Sequence, residues 1–326
     1  MRVFTSLGEI DEAPDRGRVV AIGVFDGVHR GHQRILAETV ESARSMGGLS
    51  TAVTFYPHPE AVLRPKPAPL MLTSLERKAE LIEAMGVDEL VVVKFDRAFA
   101  ALSPEAFCRL VLSHRLGARQ VLVGENFRFG HLGAGATADL RVYGATHDFD
   151  VRAVQLAEEG GETISSTRIR RLISAGQVAG AARLLGRPHR IEGVVVSGAG
   201  RGRALAAPTA NLAVDVGTAI PRMGVYVTLS VLNGGKAHPS VTSVGTNPTF
   251  EVDKKIRIET LLLDHTGDVY GSRLAVDFLE RIRDQRTFVD AESLAARIRR
   301  DVEIARGFWH AVTSEVCTKP VPGAGF

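Results

Sequence analysis

Short apolar runs alternate with amphipathic segments through the first half of the chain. The apolar runs predict β-strands over residues 19–25, 51–56, 90–95, 120–124 and 151–154. Between them, apolar side chains recur at helical spacing and predict helices over residues 33–45, 74–85, 104–116 and 138–145. Strands that alternate with helices are typical of a parallel, doubly wound α/β sheet, which binds its ligands at the carboxyl ends of the strands.

The pattern changes after residue 183. Strand-like runs follow one another, separated by turn residues, over residues 191–196, 225–232, 241–244, 255–263 and 273–279. This pattern predicts a small antiparallel β-barrel, closed by a C-terminal helix over residues 291–306 with Asp290 as its N-cap. We therefore expect domains over residues 1–183 and 184–313, and a disordered tail over residues 314–326.

The composition of the 326 residues is that of a soluble globular protein, with 45% hydrophobic and 24% charged residues. The net charge of +3 favours neither nucleic acid nor a membrane surface as a partner. The two cysteines, Cys108 and Cys317, lack metal-ligand spacing, and no apolar run is long enough to span a membrane. We expect a cytoplasmic protein with small-molecule partners, and the sequence leaves a homo-oligomer open.

The strongest candidate for chemistry is the segment 23–32, Gly-Val-Phe-Asp-Gly-Val-His-Arg-Gly-His, where the first predicted strand turns into the first helix. Free backbone N–H groups and the positive end of a helix dipole favour phosphate at such a corner. Glycines let the backbone approach a polyphosphate, and the imidazoles of His29 and His32 can donate hydrogen bonds to its oxygens. The segment therefore predicts a nucleotide site. No Walker A sequence and no strict Gly-x-Gly-x-x-Gly occurs in the chain, which argues against a P-loop ATPase or a dehydrogenase.

The segment 23–32 resembles the His-x-Gly-His motif of nucleotidyltransferases, and more narrowly the adenylyltransferase module of bacterial bifunctional riboflavin kinase/FMN adenylyltransferases. Three further segments resemble that family in the same order: Tyr56-Pro57-His58-Pro59, Gly124-Glu125-Asn126-Phe127-Arg128-Phe129-Gly130 and Ser165-Ser166-Thr167-Arg168-Ile169-Arg170. The resemblance implies a Rossmann-like α/β domain that transfers an adenylyl group from ATP to FMN, giving FAD and pyrophosphate.

The chemistry of this transfer agrees with the residue types. FMN carries an ionised phosphate, so its attack on the α-phosphorus of ATP needs positioning and charge neutralisation rather than a general base. We expect His29, His32 and Arg168 to be the catalytic residues. The expected ATP-binding residues of this domain are Gly23, Phe25, Asp26, Gly31, Asn126, Ser165 and Thr167, and the expected flavin-binding residues are Pro57, His58 and Phe127.

The second domain resembles riboflavin kinase, with a glycine loop over residues 200–203 and the motif Pro-Thr-Ala-Asn over residues 208–211. The resemblance implies ATP contacts from Gly200, Gly202 and Arg203, Mg²⁺ ligands Thr209 and Asn211, the catalytic base Glu259, and flavin contacts from Arg283 and Phe288. A base is needed because the 5′-hydroxyl of riboflavin must lose a proton to attack the γ-phosphorus of ATP. Oxygen ligands beside a phosphate suit Mg²⁺.

Several positions depart from the family pattern. Ala206 and Ala207 stand where the family has glycine and an aromatic residue, Ser243 where it has asparagine, and Gln285 where it has an acidic residue. In the first domain, Ala136 stands where a polar residue is usual. Two alternatives to the bifunctional enzyme therefore stay open. One is a monofunctional FMN adenylyltransferase whose second domain only binds flavin, and the other is an enzyme that acts on a flavin analogue.

Overall fold

The computed structural model describes residues 1–10, 17–63, 67–197, 209–246 and 256–318, without the side chains of Ala291 and residues 310–318. Contacts divide the chain into two compact units, Met1–Arg168 and Ile169–Phe326, called here the first and second unit. This division falls earlier in the chain than the domain boundary predicted after residue 183. That boundary stays a prediction.

The first unit is built on a six-stranded parallel sheet, flanked by short two-stranded ribbons. Its strands are β1 (Arg2–Phe4), β2 (Arg18–Ile22), β3 (Leu49–Tyr56), β4 (Glu89–Lys94), β5 (Ala118–Gly124), β6 (Arg128–Phe129), β7 (Gly135–Ala136), β8 (Asp150–Val154), β9 (Glu158–Glu159) and β10 (Glu162–Thr163). The order in the sheet is β1–β4–β3–β2–β5–β8, and every neighbouring pair is parallel. Strand β2 is buried at all five positions, as expected of a central strand covered on both faces.

Helices and helical turns connect these strands. They are α1 (Arg30–Met46), α2 (Pro59–Leu63), α3 (Leu75–Glu83), α4 (Arg97–Ala100), α5 (Pro104–Ala106), a π-helix (Phe107–Arg115), α6 (Thr137–Thr146) and the 3₁₀ turns Leu7–Glu9 and His131–Gly133. Helix α7 (Ser166–Ser174) follows β10 and contains the boundary between the two units. Helix α1 buries Ile35, Leu36, Val40 and Ala43 at helical spacing and ends at Gly47, which adopts the left-handed conformation of a helix C-cap.

The structure differs from the sequence-based elements of this half in two places. The strand predicted over residues 19–25 ends at Ile22, because Phe25 has a φ of 50° that an extended strand does not allow. The helix predicted over residues 104–116 is α5 followed by the π-helix Phe107–Arg115. Both regions contribute to the site described below.

The second unit is a closed antiparallel barrel with helices. Its elements are α8 (Val178–Leu185), β11 (His189–Val196), β12 (Thr209–Ala213), β13 (Gly224–Leu232), β14 (Ala237–Gly245), β15 (Arg257–Leu262), β16 (Arg273–Arg283) and α9 (Ala291–Thr318). The barrel order is β11–β12–β15–β14–β13–β16. One face of its strands forms the interior around Tyr226, Val244 and Phe278, and the other face packs Val227 and Leu261 with α9 residues such as Ala305.

The barrel and closing helix predicted from sequence are confirmed, with longer elements than expected. Strands β14 and β16 extend beyond the predicted runs, and β12 forms where the sequence showed only a motif. Helix α9 continues to Thr318, so residues 314–318 of the predicted tail are helical, and residues 319–326 lie outside the described part. Of the helices that the structure describes, none is long and apolar enough to cross a membrane.

Candidate functional site

The carboxyl ends of β2 and β5 form the topological switch point of the first unit. Strand β2 pairs with β3 on one side and with β5 on the other, where Ala21 lies beside Leu122. Ligands of doubly wound sheets bind in the crevice at this point. The segment that follows β2, residues 23–29, is called here the glycine corner, and Asn126 and Phe127 follow β5.

The backbone of the glycine corner is unusual. Phe25, Gly27 and Val28 have φ values of 50°, 81° and 38°, in the left-handed region that β-branched and aromatic residues rarely adopt. At Phe25 and Val28, such conformations cost about 1–3 kcal/mol each and persist where the surroundings impose them, whereas glycine adopts a positive φ without this cost. Gly23 meets a further constraint, because a Cβ there would lie 2.9 Å from the Phe25 ring.

Hydrogen bonds from other segments hold the corner in this conformation. The Asp26 carboxylate accepts the backbone N–H groups of Leu72 at 3.0 Å and of Thr73 at 3.3 Å. The Thr73 hydroxyl accepts the Gly27 N–H at 3.2 Å, and the Ser166 hydroxyl donates to the Asp26 carbonyl at 2.9 Å. Asp26 is 1% exposed, so its carboxylate acts within the protein. Its contact with ATP stays a prediction.

The two histidines lie together at the start of α1. His29 is the N-cap of the helix, and its Nδ1 accepts the His32 N–H at 3.3 Å. The two rings stack with their centroids 3.6 Å apart. Gly31 is needed here, because a Cβ at that position would lie 3.2 Å from the His29 ring. The edge of the His32 ring contacts Phe25, with the centroids 5.2 Å apart.

Hydrogen bonding and burial set the protonation of this pair. Since Nδ1 of His29 accepts a hydrogen bond, the proton of its neutral ring lies on Nε2, which is then a donor. Burial lowers the pKa of His32 well below its usual value, and the charge of Lys78, together with that of His29 whenever its ring is protonated, lowers this pKa further. His32 is therefore neutral at pH 7. Its Nδ1 is buried and has no hydrogen-bond partner among the described residues, which favours a ligand at this atom.

An apolar cavity of about 290 Å³ adjoins the glycine corner. Gly23 and Val24 form one part of its wall, and phenylalanines from four neighbouring segments form much of the rest. Those aromatic residues are Phe55, Phe95, Phe99, Phe107, Phe127 and Phe129. The rings of Phe127 and Phe129 stack nearly parallel, with their centroids 5.7 Å apart. Such a wall suits a flat aromatic ring system, and its neighbour, the corner, suits the phosphate of the same molecule.

The Pro-His-Pro segment lies at the edge of this cavity. Pro59 and Leu63, both in α2, line the cavity. His58 precedes α2, and its Nδ1 accepts the Glu60 N–H at 3.2 Å, so that it caps the helix as an asparagine would. Pro57 is exposed. The flavin contacts predicted for Pro57 and His58 stay predictions.

Arg168 is already engaged within the first unit. Its Nη1 donates to the carbonyls of Glu159 at 3.0 Å and Glu162 at 2.8 Å, and its Nε lies 3.0 Å from the Glu162 carboxylate. Ser165 caps the turn by accepting the Arg168 N–H at 3.2 Å. These bonds fix Arg168 to the β9–β10 hairpin, so a contact with phosphate would require exchange of partners. The arginine position of the Ser-Ser-Thr-x-Ile-Arg motif itself is occupied by Arg170.

Two other predicted ATP contacts of the first unit lie on its surface. Thr167 is exposed on the first turn of α7. Asn126 is also exposed, and its Oδ1 lies over Gly124, 3.6 Å from where a Cβ would stand. Both are accessible to a ligand at the switch point, and their roles stay predictions.

In the second unit, strand register brings three polar residues into one row on the outer face of the barrel. Asn211 on β12 pairs with Glu259 on β15, and Glu259 pairs with Ser243 on β14. Thr209 stands two residues before Asn211, on the same face of β12. All four are half-buried. The predicted Mg²⁺ ligands and the predicted base are therefore neighbours.

These residues meet the requirements of a Mg²⁺ site. Thr209 and Asn211 present a hydroxyl and an amide oxygen from β12, beside the Glu259 carboxylate of β15, and hard oxygen ligands are what Mg²⁺ binds. No group of three or more His, Cys, Asp or Glu side chains suited to a metal occurs in the described ranges. A site here would therefore leave several positions of the ion to phosphate oxygens and water, as is usual for Mg²⁺.

The predicted flavin residues of the barrel also lie together. The Arg283 guanidinium is 5.9 Å from the centroid of the Phe288 ring. It forms a bidentate ion pair with Asp301 of α9, with N–O distances of 3.0 and 2.7 Å. Arg283 pairs with Val225, which pairs with Ser243, so the row continues from Glu259 to Arg283.

Of the four substituted positions in the second unit, two lie among the described residues. Ser243 is the cross-strand neighbour of Glu259, and the side chain of Gln285 lies over Gly245, where a Cβ would come within 1.9 Å of Nε2. Ala206 and Ala207 lie outside the described residues, as do the predicted ATP contacts Gly200, Gly202 and Arg203.

Sequence analysis missed one charged group at the corner. Lys78 of α3 is 2% exposed, and its Nζ donates to the Val24 carbonyl at 2.8 Å. Its sequence signal is a lysine on the apolar stripe of a helix, three residues after Leu75 and four before Ile82.

Taken together, these features define a nucleotide-dependent transferase with a Rossmann-like domain and a β-barrel domain. Comparison with known families agrees: the FAD synthetase family matches residues 11–168, and the riboflavin kinase family matches residues 185–309. The chain belongs to the family of bifunctional riboflavin kinase/FMN adenylyltransferases.

Relatives of that description cover nearly the whole chain. The protein from Pseudomonas fluorescens is 39% identical over 89% of this chain and 93% of its own length. The Listeria monocytogenes protein is 36% identical over 92% and 95%, and the Escherichia coli K12 protein 35% over 95% and 98%. A crystal structure of a macrolide-efflux protein from Streptococcus pneumoniae is 31% identical and covers 93% of this chain and 98% of its own, with a TM-score of 0.83.

Proposed function

We propose that this protein makes FAD from riboflavin in two ATP-dependent steps, one in each unit. The barrel phosphorylates riboflavin to FMN, and the Rossmann-like unit transfers an adenylyl group from ATP to FMN, releasing pyrophosphate. Membership of the family supports both activities. The observation that carries the adenylyl transfer is the aromatic cavity beside the glycine corner, because one molecule with a flat ring and a phosphate would occupy both.

In the adenylyl transfer, the protein positions two anions and neutralises the charge that grows on the departing pyrophosphate. The His29 Nε2–H is a donor at the helix start, and the neutral His32 ring supplies a second polar group beside it. The N-terminus of α1 adds the positive end of its dipole. The phenylalanine wall excludes water from the flavin, and no general base is required.

In the kinase step, the Glu259 carboxylate takes the proton of the riboflavin 5′-hydroxyl as the oxygen attacks the γ-phosphorus of ATP. Thr209 and Asn211 would hold Mg²⁺ beside it, and the ion would neutralise phosphate charge. Their adjacency in the barrel register supports these roles. Arg283, fixed by Asp301, and Phe288 would border the flavin.

Two alternatives differ from this proposal in the second unit. The substituted Ser243 adjoins Glu259, which is the observation that favours a barrel without kinase activity or with an altered flavin substrate. A small polar side chain at this position keeps Glu259 accessible, and the preserved row Asn211–Glu259 favours an active kinase.

A chromatographic time course with purified protein and Mg-ATP tests the proposal. Reactions started from riboflavin should give FMN and then FAD, and reactions started from FMN should give FAD. FAD from FMN with riboflavin untouched would support the monofunctional alternative. Conversion of a flavin analogue in preference to riboflavin would support the other.

We also propose a cellular compartment for the protein, from its buried cysteine. The buried Cys108 is a free thiol whose pKa is raised to about 12 by burial, which suits a reducing compartment such as the cytoplasm. The partners proposed are ATP, riboflavin and FMN.

A further inference from the structure

We propose that Lys78 is a positioning residue for adenylyl transfer: its buried ammonium group holds the glycine corner against the flavin cavity. This inference rests on the adenylyl transfer proposed above. It concerns a residue on α3, outside every motif that the sequence analysis identified.

Lys78 Nζ donates to the Val24 carbonyl at 2.8 Å and to the Thr54 hydroxyl at 3.3 Å. Thr54, on β3, in turn donates to the same carbonyl at 2.9 Å. A helix and a strand therefore converge on one carbonyl of the corner, and Lys78 is 2% exposed where they meet. A buried ammonium is costly, and it is expected where its charge is used.

Val24 belongs to the glycine corner, where the proposed function places the phosphates, and it also lines the aromatic cavity together with Gly23. The residue after it, Phe25, has the left-handed φ of 50° and contacts the His32 ring. The hydrogen bond from Lys78 to the Val24 carbonyl therefore holds two features in place: the wall of the flavin cavity and the residue that precedes the strained Phe25. Because in-line transfer needs both substrates in register, this contact affects the reaction rate more than substrate affinity.

Charged and titratable groups from several elements lie around the Lys78 ammonium group. The Asp26 carboxylate of the glycine corner interacts electrostatically with Lys78. On α1, the interacting group is His32, which is stacked on His29. On β3, it is the uncharged hydroxyl of Thr54. Burial lowers the pKa of Lys78 to about 8, and Asp26 opposes this shift. The positive charge in turn helps to lower the pKa of His32. The charged form of Lys78 is therefore present below about pH 8 and is lost as the pH rises through that value.

Three variants of the full-length protein test the inference, with FAD formation from FMN and Mg-ATP measured between pH 6.5 and about pH 10. The unaltered protein should lose kcat/KM as the pH rises through about 8, since this ratio reports the free enzyme. Lys78→Arg keeps a cation that stays charged throughout, so its alkaline limb should disappear. Lys78→Met removes donor and charge and should lower kcat by about tenfold to hundredfold, with the KM for FMN within about twofold.

The control is Lys94→Met, which removes an exposed lysine at the end of β4 and should behave as the unaltered protein. An alkaline limb near pH 8 that persists in Lys78→Arg would overturn the inference, whether or not Lys78→Met folds. So would a Lys78→Met protein with unchanged kcat. Failure of the unaltered protein to form FAD would instead contradict the proposed adenylyl transfer itself.

Discussion

At the scale of single residues, the two histidines of the corner differ in what they can do. His29 uses Nδ1 to cap α1, which leaves Nε2–H as its donor. His32 is neutral, and its buried Nδ1 has no partner among the described residues. The motif contains both histidines, but only their geometry distinguishes them. His29 is a donor in a fixed position, whereas the buried Nδ1 of His32 lacks a hydrogen-bond partner in the described part of the chain, and a ligand would supply one. In the barrel, Glu259 lies between two polar cross-strand neighbours, Asn211 on one side and Ser243 on the other.

Replacing His29 with alanine should abolish FAD formation from FMN and leave FMN formation from riboflavin unchanged. The variant loses both the donor to phosphate and the cap of α1, and a lost cap costs about 1 kcal/mol of stability. Chromatography of both reactions measures the effect. The matched control is His114→Ala, an exposed histidine of the same unit, which should keep both activities. Substantial FAD synthesis by His29→Ala would sink this assignment.

Replacing Glu259 with glutamine should stop phosphorylation of riboflavin and leave added FMN convertible to FAD. The amide keeps the size of the side chain and cannot accept the proton of the 5′-hydroxyl, so the expected loss is at least about a hundredfold. The control is Glu280→Gln, an exposed glutamate on β16 of the same barrel. If Glu259→Gln phosphorylated riboflavin at the normal rate, Glu259 would not be the base.

Replacing Phe127 with alanine should raise the KM for FMN about tenfold, which is about 1.4 kcal/mol, with a smaller change in kcat. Phe127 is half-buried and forms one wall of the flavin cavity, stacked on Phe129. Steady-state kinetics at varied FMN concentration measures it. Tyr143→Ala removes an aromatic ring that packs on the same core away from the cavity, and it should leave this KM unchanged. An equal rise of KM in both variants would mean that the effect is on folding.

At the scale of elements, the strands are the part of the fold that the sequence predicts best. The apolar runs and helical stripes located all the central strands of the sheet, because buried strands are long and continuously apolar. The two-residue strands β9 and β10 have no comparable pattern, yet their hairpin holds Arg168. The sequence thus predicted a phosphate contact for Arg168, which stays a prediction, but it did not indicate the hairpin that holds this side chain.

The barrel site shows a second limit of sequence analysis. Asn211, Ser243 and Glu259 are distant in sequence, and their adjacency follows only from the pairing register of β12, β15 and β14. A shift of register by one residue would turn the side chains to the other face, and the sequence alone does not fix that choice. Lys78 was missed for another reason: a lysine on a helix is usually exposed, and only the fold shows that α3 buries it.

Gly193 on β11 tests how strands position the barrel site. A Cβ there would lie 2.1 Å from the Ala213 carbonyl of β12, the strand that carries Thr209 and Asn211. Gly193→Ala should therefore displace β12, lower the melting temperature and reduce riboflavin phosphorylation by more than about tenfold, because small misplacements of ligands are costly.

The matched control is Gly180→Ala on α8, where the new Cβ would make ordinary contacts at 3.7 Å with Leu172. Alanine is the better helix former, so this variant should be stabilised by about 0.5–1 kcal/mol and stay active. Calorimetric unfolding together with the kinase assay measures both. Equal behaviour of the two variants would contradict the close approach of β11 and β12.

At the scale of the whole molecule, the chain joins two units with different chemistry. In the proposed function, one would position two phosphate-bearing substrates at a helix N-terminus, and the other would deprotonate a hydroxyl beside a row of polar side chains. Each unit has its own core and its own candidate site, so a change in one should leave the other step intact. The product of the barrel, FMN, is the substrate of the first unit, and it can pass between molecules through solution.

The most direct test of this division is to mix His29→Ala and Glu259→Gln proteins and supply riboflavin with Mg-ATP. Each variant alone should form no FAD from riboflavin, the first stopping at FMN and the second leaving riboflavin untouched. The mixture should form FAD, because FMN made by the first variant is adenylylated by the second. FAD from riboflavin with either variant alone, or none from the mixture, would contradict two separate sites for the two steps.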